Sequence, residues 1–230
     1  MDDLLDRVRA LKAAAKAARD NREWDEAIGY LQEAVSLLKA RMADASSPVP
    51  SWLRSELADT YGLMGGIEKR WGLTLHGQER QRHLEASLAA YDAGFEYEEK
   101  LQRNEENTYN RVNRLVGRVL LDPGVLQKDG GADPEISGEL GEAEKILRGQ
   151  IESVRQKDPW AYCDLGTVQL LLGEHDALRT FKNLDRLRPP AFVYESTLST
   201  LQPLRDVAAD RRTDLVLAVD QLGRSVGRRE

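Results

Sequence analysis

The residues able to do chemistry in this chain are few, and their spacing argues against most of it. His76, His83 and His175 share no short helical spacing, and no His-Glu-x-x-His pattern occurs, so no metal site is expected. Cys163 is the single cysteine, which rules out an internal disulfide framework and a cysteine-based zinc site. It falls on a predicted helix with no histidine nearby in sequence and reads as a packed thiol, not a nucleophile. "GLMGGIEKR" (62–70) has close glycines but lacks the Lys-Ser/Thr ending and the preceding strand of a phosphate cradle. "DGGADPE" (129–135) carries three carboxylates without the spacing of a calcium loop. The carboxylates of "YEEK" and "NEEN" could act as acid and base only if desolvated, and are read as a solvated face. The sequence therefore predicts no catalytic residue, no cofactor and no metal: not an enzyme.

A stronger pattern is "NTYNRVNRLVGRVLLDP" (107–123), with asparagine at every third position and arginines between. Arg111, Arg114 and Arg118 follow one another at three and four residues and share a helix face. The planar fork of arginine can grip a carboxylate with two hydrogen bonds, and asparagine can bond a peptide backbone. Whether this stripe binds a partner or is merely solvated depends on the elements that hold it.

The 230 residues suffice for one compact domain or a short repeat array. With 41% apolar and 31% charged residues, the composition is that of a soluble globular protein. Mean hydropathy is −0.55, and no apolar run is long enough to span a bilayer. The opening "MDDLLDRVRA" lacks the basic and apolar regions of a secretory signal, so a cytoplasmic location is expected. A net charge of −6 weighs against general affinity for nucleic acid.

Helical periodicity runs throughout. Good helix formers fill 4–42, with a turn in "RDNREWDEA" near Asp20 and Asn21. "ASSPVPSW" breaks the chain. Helices are predicted over 52–71, 84–101 and the asparagine stretch, with "LHGQERQRH" (75–83) a polar loop and a stop at Asp122-Pro123-Gly124. After the loop "QKDGGADPEISGE", helices are predicted at 139–156, 160–172, 176–187, 192–209 and 213–223. The fold class is all-α.

"PWAYCDLGTVQLLLGEHDALRTFKNLDRLRPP" (159–190) resembles a tetratricopeptide repeat. Leu165 and Gly166 stand where paired helices come closest, Gly173 at the turn, Ala177, Phe181 and Leu184 on the packing stripe, and Pro189 at the close. The first stretch matches with Leu11, Ala15 and Ala18, then Ala27, Leu31 and Ala34. Two degenerate copies lie between. One has Met64, Gly65, Gly72, Ser87, Tyr91 and Gly94; the other has Val112, Asn113, Val116, Ala143 and Leu147. The resemblance implies a single α-solenoid of about four repeats, at about 4–42, 52–101, 107–157 and 159–190. A helical cap at 191–223 and a frayed tail at 224–230 would follow.

More narrowly, Tyr109, Val112 and Asn113 ahead of an apolar helix end are similar to a tetratricopeptide-like region of apoptosis-signal-regulating kinases. That region binds TRAF proteins; its bacterial relatives accompany signalling or defence modules. The likeness spans roughly Leu57 to Pro123.

In tetratricopeptide arrays the first helix of each pair lines the concave surface. The resemblance so implies a basic, amide-rich groove of Lys12, Lys16, Arg19, Lys69, Arg70, Asn107, Asn110, Arg111, Arg114 and Arg118, with Arg9 beside it. The fourth repeat would offer Trp160, Cys163, Asp164 and Thr167. Asn113, in the close-approach slot, is expected to be buried and hydrogen-bonded to a neighbouring helix. The implied function is a non-enzymatic scaffold binding an acidic peptide or partner protein, with a nucleic-acid-binding array, and after it an enzyme, as the alternatives. Aromatic content of 6%, and no aromatics among these arginines, disfavours the nucleic-acid-binding array.

Overall fold

The computed structural model describes residues 2–44, 49–101, 108–127 and 132–227. Among them every extended regular element is helical, with one isolated antiparallel bridge between Leu126 and Ala132. The all-α reading holds. The chain divides into two compact units, Met1–Arg114 and Leu115–Glu230.

The first unit contains α1 (Asp2–Asp20), α2 (Trp24–Ala43), α3 (Ser51–Leu73) and α4 (Gly77–Glu98), and takes in the start of α5 (Tyr109–Leu121). The turn after α1 is made by Arg22 at φ 64°, with Glu23 N–H donating to the Ala18 carbonyl at 2.9 Å. Small residues then let the helices close. Ala15, Ala18, Ala27, Ile28 and Leu31 meet Ile67 of α3 in one apolar cluster, and Val8, Ala34, Val35 and Leu38 meet Leu53 and Leu57 in another. Between α3 and α4, Gly65 lies against the Tyr91 ring, where a Cβ would stand 2.9 Å from it. Ser87 Oγ donates to the Gly65 carbonyl at 2.7 Å. The stretch 77–83, expected as a loop, is instead the first two turns of α4. Its Glu, Gln and Arg residues are good helix formers, and His83 anchors it by seating against Gly72.

The second unit takes in the rest of α5, a 3₁₀ turn at Pro123–Val125, and α6 (Pro134–Glu152), α7 (Pro159–Leu172), α8 (Ala177–Leu187), α9 (Ala191–Ala208) and α10 (Thr213–Val226). Asp133 and Asp158 cap α6 and α7 through the N–H groups of Glu135 and Trp160, each followed by proline at the first helical position. That cap starts α6 five residues before the position expected from periodicity. Gly166 receives Phe181, whose ring would lie 2.5 Å from a Cβ there, and Gly173 ends α7 at φ 76°. Arg188, at φ 51°, ends α8 before Pro189 and Pro190. The helices α9 and α10 pack on each other, α9 also against α7 and α10 against α8. Arg224–Val226, expected as frayed tail, belong to α10, with Leu222 and Ser225 buried.

Candidate functional site

The start of α5 is held by a network of polar groups that reaches it from the last turn of α4 and from α3. The first N–H groups of a helix lack intrahelical acceptors. Here the Glu98 carboxylate, on the last turn of α4, accepts from Asn110 N–H at 3.0 Å and Arg111 N–H at 3.3 Å, and from Asn110 Nδ2 at 2.9 Å. Glu98 is fully buried. The sequence reading placed this "YEEK" carboxylate on a solvated face; the structure corrects that, since an anion at a helix N-terminus is stabilised there.

Asn110 also donates through Nδ2 to the Ala58 carbonyl of α3 at 3.0 Å. Its Oδ1 is buried without a hydrogen-bond donor, wedged between Gly62 and Gly94. A Cβ on Gly94 would stand 2.6 Å from that oxygen, and one on Gly62 2.8 Å away. The Cα–H bonds that replace those β-carbons therefore point at Oδ1 and give it weak C–H···O contacts.

The arginines of this turn face inward too. The Arg111 and Arg114 guanidiniums lie 4.6 and 4.4 Å from the Phe95 ring centre, and Arg114 Nε reaches Asp92 Oδ1 at 3.1 Å. Asn113 behaves as its slot implied. Its Oδ1 accepts from Lys69 Nζ at 2.8 Å, and its Nδ2 donates to the Tyr109 carbonyl at 2.9 Å. Lys69 also lies 5.8 Å from the Tyr91 ring centre. Burial pushes the Tyr91 phenol well above its ordinary pKa.

The expected basic groove is thereby largely dismantled. Lys12, Lys69, Asn110, Arg111 and Arg114 are buried rather than presented to solvent. Lys12 is matched by two acids of α3, Glu56 at 2.6 Å and Asp59 at 2.7 Å, so that part of the track is not basic. The physical reason is that the face pointing toward a groove in a lone repeat here meets carboxylates of adjacent helices. Arg118, in the second unit, is partly exposed and pairs with Glu135 and Glu139 at 3.1 and 3.0 Å. Arg19 pairs with Asp20 at 2.7 Å and Arg9 with Asp6 at 3.4 Å. Lys16 and Arg70 are exposed, and among the described residues no ion pair engages them. Asn107 lies outside the described residues. In the fourth repeat Cys163 and Thr167 are buried, and burial drives the Cys163 thiol up to about 12, which leaves it unreactive at neutral pH. Trp160 is exposed beside Phe192.

Three relationships had no local signal in the sequence. His83 Nδ1 meets Glu68 Oε2 at 2.7 Å with its ring over Trp71. Tyr61 and Tyr97 stack, with Lys39 Nζ 5.5 Å from the Tyr61 ring centre and Lys100 Nζ 6.0 Å from that of Tyr97. Arg212 binds the Leu171 carbonyl through Nε and Nη2 at 3.1 and 2.9 Å, and the Gln127 carbonyl through Nη1 at 2.8 Å. Among the described residues no group of three or more His, Cys, Asp or Glu could hold a metal ion, and no helix is long and apolar enough to cross a membrane.

Helix pairs closed by Gly65, Ser87, Gly166 and Ala177, with a docked helix start as their main polar feature, define a tetratricopeptide-type protein, a class that mediates protein interactions. The chain belongs to the Tetratricopeptide Repeats-Sensor family, whose family model matches residues 2–121. No curated protein and no solved structure matches it.

Proposed function

We propose that this chain is a non-enzymatic sensor and scaffold that binds an acidic segment of a partner protein on its first unit, within a bacterial signalling or defence system. The observation that carries the reading is the pair Lys16 and Arg70, the cations of the expected track left exposed and, among the described residues, without an ion pair. Lys16 lies between Ala15 and Ala18, which pack with Ile67 of α3; Arg70 stands one turn beyond Ile67. Arg70, in the last turn of α3, is also favoured by the helix dipole. Each exposed contact contributes about 1 kcal/mol or less, so several must act together.

The test is binding of a glutamate-rich peptide at low ionic strength, followed by fluorescence anisotropy, beside a pull-down from native lysate. The double change Lys16→Glu with Arg70→Glu is expected to weaken binding about tenfold, the equivalent of ~1.4 kcal/mol, at unchanged melting temperature. Equal binding by the variant refutes the surface. Salt-sensitive retention of nucleic acid instead of protein refutes the partner class.

A further inference from the structure

Beside the packing of the Tyr109 ring on Tyr91 and Gly62, the contact that holds the first two turns of α5 is mostly polar, where the seam among α1, α2 and α3 has an apolar core. Ala15, Ala18, Ala27, Leu31 and Ile67 form the seam among α1, α2 and α3. Under the start of α5 stand Glu98, Lys69, Asp92, the Phe95 ring and the Ala58 carbonyl. Of residues 109–114, Val112 is the one buried aliphatic. On separation, carboxylate, guanidinium, amide and carbonyl all regain hydrogen bonds to water, so such a contact is specific in geometry yet weak in net free energy. An apolar seam has no such substitute and loses its whole burial term. Gly94 offers Asn110 backbone and no side chain, while Gly62 receives both Asn110 and the edge of the Tyr109 ring. The acceptor for the Asn110 and Arg111 N–H groups sits on α4, so these two bonds are made and lost with docking.

We infer that residues Tyr109–Arg114 form a reversible latch on the α3–α4 pair, with Glu98 as its catch, which opens without unfolding α1–α4. The first unit then has a docked and a released state, and any ligand that prefers one of them shifts the population. The latch does not depend on the Lys16 and Arg70 surface: peptide binding can fail while the latch stands, and the reverse.

Residue-resolved hydrogen exchange on the full chain, in buffer and in low urea, tests it. Amides of residues 112–114 are expected to exchange at least about tenfold faster than those of residues 57–67 in α3, with a shallower urea dependence. Glu98→Gln keeps the shape and removes the charge. It is expected to speed exchange at 112–114 a further threefold or so, while α1 and α2 exchange as before. A common rate and a common urea slope for α5 and α3 in the unaltered chain overturn the latch, and this arm stands even if the variant fails to fold. A folded Glu98→Gln chain with unchanged exchange in α5 overturns Glu98 as the catch.

Discussion

The side chain of Asn110 occupies the space that a β-carbon on Gly94 would fill, its Oδ1 2.6 Å from that position. Gly94→Ala, and Gly62→Ala on the facing helix, must push Asn110 off Glu98 and the Ala58 carbonyl. Each is expected to destabilise by about 1–3 kcal/mol. Gly29→Ala, on α2 with open space around it, is expected to stabilise by about 0.5–1 kcal/mol. Thermal melts of the three variants check the contrast; equal effects at Gly94 and Gly29 refute the packing of Asn110.

Reversing Arg114 and reversing Lys16 should have opposite consequences. Arg114→Glu sets a second carboxylate beside Asp92 at a buried position and removes the cation over Phe95, with an expected loss of about 2–4 kcal/mol. Lys16→Glu, at an exposed site, should change stability by less than about 0.5 kcal/mol. Urea titrations of both variants decide, and a harmless Arg114→Glu contradicts the inward orientation.

Burial, then a hydrogen bond with Glu144, raises the pKa of Glu174 above the ordinary carboxylate value. A raised value means the folded state binds this proton more tightly. The stability it contributes is fully present below the ordinary carboxylate pKa and lost as pH rises through the raised one. Glu174→Gln is therefore expected to melt higher than the unaltered chain at pH 7, with the gap closing toward pH 4. A gap that widens on acidification reverses the sign and refutes the assignment.

Arg212 ties the turn before α10 to the carbonyls of Leu171 and Gln127. Arg212→Ala strips both carbonyls of a buried donor and should cost about 2–4 kcal/mol. Arg188→Gly, which relieves a left-handed residue at φ 51°, should add about 0.5–1 kcal/mol. Differential scanning calorimetry on both variants measures the two shifts, which must differ in sign.

Local pattern sufficed for the helices and for the small residues that close them. Gly65, Ser87, Ala143, Gly166, Ala177 and Phe181 are legible because packing of paired helices demands small residues at set intervals within a short span of chain. Turn chemistry was legible at Gly173 and Asp122-Pro123-Gly124 for the same reason, and misread at 77–83, where polarity suggested a loop but helix-forming residues made two turns.

Whether a charged residue faces water was not legible, because that depends on what another helix brings opposite it. Lys12 is neutralised by acids 44 and 47 residues away, and Lys69 is occupied by an asparagine 44 residues away. Glu98 looks like any surface carboxylate until the chain returns to set the bare N–H groups of α5 against it. The sequence by itself determined an all-helical chain of tetratricopeptide pairs and the slot that Asn113 would fill. Tertiary structure alone decided which cations stay in solvent, since a charge is buried only where its counter-charge or acceptor arrives through packing, and that arrival has no local period.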